Sequence, residues 1–315
     1  MVFIGIDLGG TKISGAVFGE DNSILANETR YLDNRQGIEV ATLITGVCNT
    51  LLHPYNVQDS KEISLGICVP GIAYSKSGKV WAPNIKGWDM FPLKDFLRSN
   101  YPKANIMIES DRTCYILGEV SRGVAKGCEN AIFIAVGTGI GAGILIDGRV
   151  LHGASDIVGA TGWMALEHPY QNKWDGCGCF ESEASGNGIA ARARELSTKQ
   201  SSVLHQESNT RDVFEAYQQN DPVAVMVLEK AIRFWGMAAA NFVSLFNPEI
   251  LVFGGGVFGP AAKFIDRIYQ EASRWAQPIA FKECRFAATA LPDTAGLYGA
   301  GAIAAIGYAN SLKQK

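Results

Sequence analysis

The stretch GIDLGGTK (residues 5–12) places a glycine turn at the end of a short apolar run, 2–6. A second run of small and apolar residues, 13–18, follows it and turns at 19–22 into a third strand-like segment, 23–29. This order predicts an antiparallel meander of three strands. The same order recurs where GTG at 137–139 separates the apolar runs 131–136 and 140–146. The recurrence indicates a duplicated unit.

Composition limits the classes of protein that the chain can belong to. Its 315 residues correspond to about two domains, and 47% hydrophobic with 19% charged residues is typical of a globular protein. The net charge of -3 and the lack of a long basic run argue against a nucleic-acid partner, and no apolar stretch is long enough to span a membrane. The N-terminus does not read as a signal peptide, and the seven scattered cysteines read as reduced thiols, so we expect a cytoplasmic location.

A third glycine cluster, GGGVFG at 254–259, follows the apolar run 250–253 and matches the dinucleotide fingerprint in its spacing. That fingerprint needs a strand, the glycines, a helix and a second strand. The similar pattern at 137–142 leads into a strand and a hairpin, and the cluster at 254 leaves too little chain for a cofactor domain. A Walker loop also fails, because Thr11-Lys12 stands where Gly-Lys would follow. Any one of these clusters by itself is more often a backbone turn than a phosphate site.

Together, the three clusters favour a different ligand. Two glycine turns between hairpin strands can hold the phosphates of a nucleotide through exposed backbone N–H groups. Asp7 adds a carboxylate that could hold Mg²⁺, directly or through water. The third cluster would cover the nucleoside, and we expect a side chain at Gly255 to obstruct the base.

On these motifs the chain resembles the ROK family of sugar kinases. The matching stretches cover nearly the whole sequence in the family's order: Asp7 to Lys12, Gly66 to Gly71, Ala82 to Asn84, Gly137 to Gly141, Cys179 to Glu181 with Ala184 to Gly186, and Asn247 to Gly256. The resemblance implies an α/β, two-domain actin-like ATPase fold, ribonuclease H-like and hexokinase-type, with nucleotide and sugar in the interdomain cleft. We expect a small N-terminal α/β domain of residues 1–110, completed by a C-terminal helix 298–315, and a large α/β domain of residues 111–297.

The resemblance also implies roles for individual residues. The ATP and phosphate contacts would be Asp7, Gly9, Gly10, Thr11, Lys12, Gly137, Thr138, Gly139, Gly254, Gly255 and Gly256. The sugar contacts would be Gly71, Asn84, Ser110, Asp111, Trp163 and Glu181. Asp111 matches the catalytic base, although the same residue also reads as the N-cap of a helix. ATP and Mg²⁺ are the expected cofactors, and a homodimer is the expected assembly.

The sequence departs from the family pattern around the sugar. Ser110 replaces an asparagine, and Gly159-Ala160-Thr161-Gly162-Trp163 replaces Gly-Glu-x-Gly-His. Trp163 would either face the sugar or pack into the core. Of the family's zinc cysteines only Cys177 and Cys179 remain, and His168 is a third candidate. Because a structural zinc needs four ligands, we expect no zinc.

The sequence therefore predicts an ATP- and Mg²⁺-dependent kinase that acts on a hexose or an N-acetylhexosamine. Two alternatives remain. The altered sugar segment is also compatible with a silent sugar-binding protein. A sugar-responsive transcription regulator is disfavoured, because Asp7 leaves no room for a preceding helix-turn-helix. The sequence does not specify the sugar or the hydroxyl that is phosphorylated.

Overall fold

The computed structural model describes residues 1–55, 57 and 59–313, which form twelve strands and ten α-helices. The strands are β1 (Val2–Leu8), β2 (Lys12–Phe18), β3 (Ile24–Tyr31), β4 (Ile63–Val69), β5 (Ile72–Ala73), β6 (Val80–Trp81), β7 (Asn105–Ser110), β8 (Ala131–Val136), β9 (Ile140–Ile146), β10 (Arg149–Val150), β11 (Ile250–Gly254) and β12 (Arg285–Ala288). The helices are α1 (Ile38–Leu52), α2 (Leu93–Asn100), α3 (Asp111–Arg122), α4 (Cys179–Ala184), α5 (Gly186–Ser197), α6 (Thr210–Gln218), α7 (Pro222–Phe246), α8 (Ile265–Ala272), α9 (Pro278–Glu283) and α10 (Ala295–Lys313). None of these helices is both long and apolar enough to cross a membrane.

The chain divides into two compact units. The first unit contains Met1–Gly127, Leu151–Val158 and Asp293–Lys315, and the second contains Cys128–Val150 and Gly159–Pro292. The domain limits predicted from the sequence, 1–110 and 111–297, stay a prediction. The compact units divide the chain differently: helix α3 belongs to the first unit, because it packs along α10. The helix predicted for 298–315 begins three residues earlier, at Ala295, and residues 314 and 315 lie outside the described part of the chain.

The first unit is built on a five-stranded sheet with the order β3-β2-β1-β4-β7. The pairs β1-β2 and β2-β3 are antiparallel, which confirms the predicted meander, and β1-β4 and β4-β7 are parallel. Alternate residues of β1 point to opposite faces, so Ile4 and Ile6 join the core beneath α1 while Gly5 lies against α10. The sheet is thus covered on both faces.

The second unit repeats this plan. Its sheet has the order β10-β9-β8-β11-β12, with the first two pairs antiparallel and the last two parallel. Helix α7 begins at Pro222, and the Asp221 side chain accepts hydrogen bonds from the N–H groups of Val223 and Ala224, as the sequence predicts. The predicted duplication is therefore confirmed at the level of strand order and direction.

At two glycines of the first sheet, helix α10 lies so close that no side chain fits between them. A Cβ atom on Gly66 of β4 would lie 1.9 Å from the Ala300 carbonyl oxygen, and one on Gly5 would lie 2.6 Å from the Gly301 nitrogen. These glycines are needed because backbone meets backbone at that point.

We therefore predict that Gly66→Ala destabilises the protein by about 3 kcal/mol or more, since a buried methyl group would collide with rigid main chain. Urea unfolding followed by circular dichroism would measure this. Gly176→Ala is the matched control, because a Cβ there has no neighbour within 4 Å. Equal midpoints for the two variants would contradict this account of the packing.

Candidate active site

The first glycine loop, residues 9–12, joins β1 to β2. It closes through a hydrogen bond from the Gly9 N–H to the Lys12 carbonyl oxygen at 2.9 Å, and the Thr11 carbonyl accepts from the Leu32 N–H at 2.9 Å. Gly10 and Thr11 are exposed. The loop therefore has a fixed backbone that is open to solvent at its tip, as a phosphate site requires.

Asp7, near the end of β1, lies beside the start of α10. A Cβ on Gly296 would be only 2.6 Å from the Asp7 Oδ2 atom, so only glycine permits this approach. Burial raises the pKa of the Asp7 carboxyl, and a hydrogen bond with Cys68 and the charge of Lys12 offset part of that increase. A cation bound nearby would stabilise the ionised form of this carboxyl group.

Asp111 is the first residue of α3, directly after β7. The N-cap of this helix is Ser110, whose Oγ accepts a hydrogen bond from the Thr113 N–H at 3.4 Å. The expectation that Asp111 caps the helix is therefore wrong by one position. Both residue types are good caps, but the sheet ends at Ser110, which still has extended backbone. The Asp111 side chain therefore does not cap the helix.

The environment of Asp111 changes its acidity. Burial raises the pKa of its carboxyl to about 6, the positive charge and N–H of Arg112 hold it down in part, and the negative charge of Asp7 adds to the increase. The Asp111 Oδ1 atom accepts from the Arg112 N–H at 2.8 Å. The charge of Asp7 therefore affects the pKa of Asp111, as expected if Asp7 lies beside the phosphates and Asp111 beside the acceptor hydroxyl.

A further acid of β7 forms an ion pair that the sequence does not reveal. Glu109 is 8% exposed, and its carboxylate contacts His152 Nε2 at 2.9 and 3.1 Å. The hydrogen bond to Glu109 raises the pKa of His152, while partial burial opposes that shift. This pair ties segment Leu151–Val158 to the strand end that carries Ser110 and Asp111.

The other two predicted sugar contacts of the first unit, Gly71 and Asn84, lie on loops after β4. Gly71 must be glycine, because a Cβ there would lie 2.0 Å from the Trp81 carbonyl oxygen. Asn84 lies beside the first glycine loop, since a Cβ on Gly10 would be 4.0 Å from the Asn84 Cβ. The first unit therefore brings Asn84 to the tip of the loop.

In the second unit, the second glycine loop, residues 137–139, turns between β8 and β9. The Gly137 N–H donates to the Gly139 carbonyl oxygen at 2.9 Å, and the Gly137 carbonyl accepts from the Gly186 N–H of α5 at 2.8 Å. Glu181 accepts from the Ile140 N–H at 2.6 Å. Burial raises the pKa of Glu181, and the hydrogen bonds with Ile140 and Cys177 lower it in part. Glu181 thus fixes the loop as well as lying beside it.

Trp163 ends a short 3₁₀ turn, Thr161–Trp163, beside Glu181. A Cβ on Gly162 would lie 2.9 Å from the Glu181 Oε2 atom, so the turn and the carboxylate are neighbours. The Trp163 side chain is 59% exposed. The alternative that it packs into the core is therefore wrong, and its ring is available to a ligand.

The third glycine cluster, residues 254–256, ends β11. Gly255 has φ +87°, and a Cβ there would meet the Val136 carbonyl oxygen at 2.5 Å. A side chain at Gly255 would therefore point at the neighbouring strand β8 and not at a ligand. The expectation that it would obstruct a base is wrong. A Cβ on Gly256 has no neighbour within 4 Å.

Gly256 also borders a pocket of about 560 Å³ within the second unit. The pocket connects the second glycine loop to helix α6, and its walls include Gly137, Thr138, Asn187, Arg211, Phe214 and Gly256. Its size lies within the range of about 300–1,000 Å³ that is usual for small-molecule sites. Both predicted glycine groups of this unit thus border one pocket.

The remaining zinc candidates do not form a metal cluster. Across the described part of the chain, no three or more His, Cys, Asp and Glu side chains are grouped to hold a metal ion. His168 is exposed, Cys179 is buried, and the Cys177 Sγ lies 3.2 Å from the Ser182 hydroxyl. The statement that zinc is not bound stays a prediction.

Charged side chains hold this part of the second unit instead. The Glu183 side chain is 1% exposed; it pairs with Lys173 and Lys230, and accepts from the Trp174 ring N–H at 3.0 Å. Burial would raise its pKa, but these three partners outweigh burial and lower it. Lys230 also contacts Glu167 at 2.8 Å. The network fastens the segment between Trp163 and α4 to helix α7.

Comparison with known proteins identifies the family. The model of the ROK family matches residues 3–306. The chain belongs to the ROK family. A glucokinase of Halalkalibacterium halodurans is 31% identical over 311 residues, which are 95% of this chain and 93% of that protein.

Solved structures agree with this assignment. A ROK hexokinase from Thermus thermophilus has a TM-score of 0.86 at 27% identity, covering 98% of this chain and 100% of that one. A ROK glucokinase from Streptomyces griseus, solved with glucose and AMPPNP, has a TM-score of 0.74 at 26% identity, covering 97% and 100%. The ROK chain has the actin-like ATPase fold, and by class it is a sugar kinase.

Two of the three glycines of the third cluster, Gly255 and Gly256, should respond differently to substitution by alanine. Gly255→Ala should destabilise the protein by about 2 kcal/mol or more, because it combines a left-handed backbone with a clash against Val136. Gly256→Ala should leave the unfolding free energy within about 0.5 kcal/mol of wild type. Chemical denaturation of both variants measures the difference, and a larger loss in Gly256→Ala would contradict the geometry.

Proposed function

We propose that this ROK protein transfers the γ-phosphoryl group of ATP to a hydroxyl of a hexose or an N-acetylhexosamine, with Asp111 as general base. The observation that carries the proposal is the setting of Asp111. Asp111 starts helix α3 and does not cap it, and burial and the charge of Asp7 in β1 raise the pKa of its carboxyl to about 6. A base with this pKa is ionised at neutral pH and still able to accept a proton.

The acceptor hydroxyl needs orientation more than activation. In phosphoryl transfer the protein contributes mainly by positioning the groups and neutralising charge, while a carboxylate takes the hydroxyl proton as the bond forms. Asp111 would accept that proton at its free carboxylate oxygen. Asn84, Ser110, Glu181, Trp163 and the backbone at Gly71 would hold the sugar.

The nucleotide would be held by the glycine loops. Gly9 to Lys12 with Asp7 would contact phosphates from the first unit, and Gly137 to Gly139 from the second. Gly254 to Gly256 would border the adenosine, with the pocket of about 560 Å³ beside α6 as its place. The AMPPNP complex of the Streptomyces griseus relative supports ATP as the phosphate donor.

Mg²⁺ fits the chemistry of Asp7. Magnesium prefers carboxylate and water oxygens and is commonly held by one or two carboxylates together with substrate phosphates. The raised pKa of Asp7 shows that burial penalises its charge, and a bound cation would remove that penalty. When bound, the ion would neutralise charge on the phosphates. The homodimer and the cytoplasmic location stay predictions.

A silent sugar-binding protein remains the alternative, because Ala160 and Trp163 stand where the family has a charged pair. An ATP-coupled assay over a panel of hexoses and aminosugars separates the two functions. Turnover of any sugar on the panel supports the kinase, and binding without turnover supports the alternative.

We predict that Asp111→Asn lowers kcat by about a hundred- to ten-thousand-fold while ATP binding stays near normal. In the wild type, kcat/KM should fall about tenfold per pH unit below pH 6, because protonated Asp111 accepts no proton. The variant should lose this acid limb. Steady-state kinetics from pH 5 to pH 8, together with calorimetric titration of ATP, measure both effects.

The melting temperature of Asp111→Asn shows whether this variant is folded. Since folding raises the pKa of Asp111, its ionised form costs stability as the pH rises from about 4 through 6, and that cost persists at higher pH. Asp111→Asn removes the cost, so its melting temperature at pH 7.5 should equal or exceed that of the wild type. Near wild-type turnover in a folded variant would exclude Asp111 as the base.

We also expect ATP binding and sugar binding to be changed by different substitutions. Gly256→Val should raise the KM for ATP about tenfold or more, since its side chain enters the pocket without strain in the loop. Trp163→His should change sugar preference and leave the KM for ATP within about twofold. Independent titration of ATP and sugar tests both. A Gly256→Val enzyme impaired for sugar alone would refute the placement of adenosine.

A further inference from the structure

Most of the residues that line one recess in the first unit have none of the roles assigned above. The recess measures about 400 Å³ and lies between the segment 31–36, which follows β3, and the segment 84–86. Gly10, Thr11 and Asn84 form its inner wall, so it adjoins the first glycine loop and the loop that carries a proposed sugar contact. Its volume is within the range of about 300–1,000 Å³ for small-molecule sites.

The walls of this recess are held in place by main-chain hydrogen bonds. The Leu32 N–H donates to the Thr11 carbonyl, and the Gly37 N–H donates to the Lys86 carbonyl, both at 2.9 Å. Leu32 and Ile85 are buried beneath it. Asp33 and Asn34 both have left-handed backbone, with φ of 44° and 63°. Asp and Asn adopt that conformation more readily than other residues with a side chain, so the sequence itself favours this turn.

Four polar side chains around the recess have no protein partner in the described part of the chain. Among the described residues, no hydrogen bond or ion pair engages the side chains of Asn34, Gln36, Asn84 or Lys86. Tyr31, at the end of β3, is 64% exposed and adds an aromatic face with a hydroxyl at its tip. A fixed concave surface with several free amide groups is typical of a site that recognises a polar ligand.

Charge narrows the chemistry of that ligand. Arg35 contacts Asp33 at 3.1 Å, and its guanidinium also donates to the Leu32 carbonyl at 3.1 Å, so its charge is largely balanced. Lys86 then leaves the recess with a net charge near +1. This is little for a phosphate chain, which is usually held by several cations or backbone N–H groups. Neutral amides beside an aromatic ring suit a ring that carries hydroxyl groups.

We propose that this recess is a subsite for a second sugar ring, so that the protein accepts a glycoside or disaccharide whose first ring occupies the acceptor site. This rests on the proposed function, because Asn84 links the recess to that site. The ring would stack on Tyr31, and its hydroxyls would bond to the amides of Asn34 and Gln36 and to the ammonium group of Lys86.

The test compares a monosaccharide with disaccharides. Glucose, maltose, cellobiose and trehalose are titrated calorimetrically and assayed for ATP-coupled turnover with the wild type, Tyr31→Ala and Asn34→Gly. Asn34→Gly removes the amide at a backbone that glycine adopts freely. Leu25→Ala is the control, because Leu25 is 60% exposed on the same strand.

We expect at least one disaccharide to bind the wild type, and both subsite variants to weaken its binding by about fivefold to tenfold while glucose binding changes less than about twofold. Leu25→Ala should change neither. Binding of glucose alone, or an equal loss for both ligands in the variants, would overturn the subsite. So would competition for the recess by inorganic phosphate instead of by disaccharide.

The outcomes also separate this inference from the kinase. Glucose turnover without disaccharide binding would leave the proposed function standing and remove the subsite. Disaccharide binding that is lost in Tyr31→Ala, without turnover of any sugar, would keep the subsite and remove the kinase.

Discussion

The close packing of α10 against the first sheet and α3 is the constraint on which the arrangement of acids in the first unit depends. At Gly66, Gly118 and Gly299 an added Cβ would lie 1.9–2.2 Å from a carbonyl oxygen of the opposite element. Main chain therefore rests on main chain, with no flexible side chain between to absorb a shift. Asp7 lies near the end of β1 and Asp111 at the start of α3, so this packing sets the separation of the two carboxyl groups.

Three carboxylates show how surroundings separate chemical from structural roles. Burial raises the pKa of Asp111 and of Glu181, because neither has a cation in direct contact that could compensate fully. Glu183 is at least as buried, yet two lysines and a tryptophan N–H lower its pKa. A carboxylate that is fully paired fixes structure, and one that is incompletely paired keeps the capacity to exchange a proton.

Much of the fold could be predicted from the sequence because short-range patterns determine it. Glycine turns between alternating apolar runs define both meanders, and Asp221-Pro222 sets the start of α7. The errors arose where tertiary contacts decide. Ser110 caps α3 because the sheet ends there, and Gly255 faces Val136 because that residue lies on the neighbouring strand β8. Glu109 and His152 lie 43 positions apart, and no local pattern connects them.

The first unit is assembled from three separate stretches of chain, the last of which is α10. During synthesis on a ribosome, residues 1–127 emerge long before Ala295–Lys313, which covers one face of their sheet. Domains commonly fold as they emerge, but this sheet lacks its covering helix until the whole second unit has been made. The second unit, in contrast, has all its strands and helices once residue 292 has emerged. Residues 1–127 are translated before the second unit, yet they complete their core after it, and in the meantime the uncovered apolar face of their sheet is what a chaperone would meet.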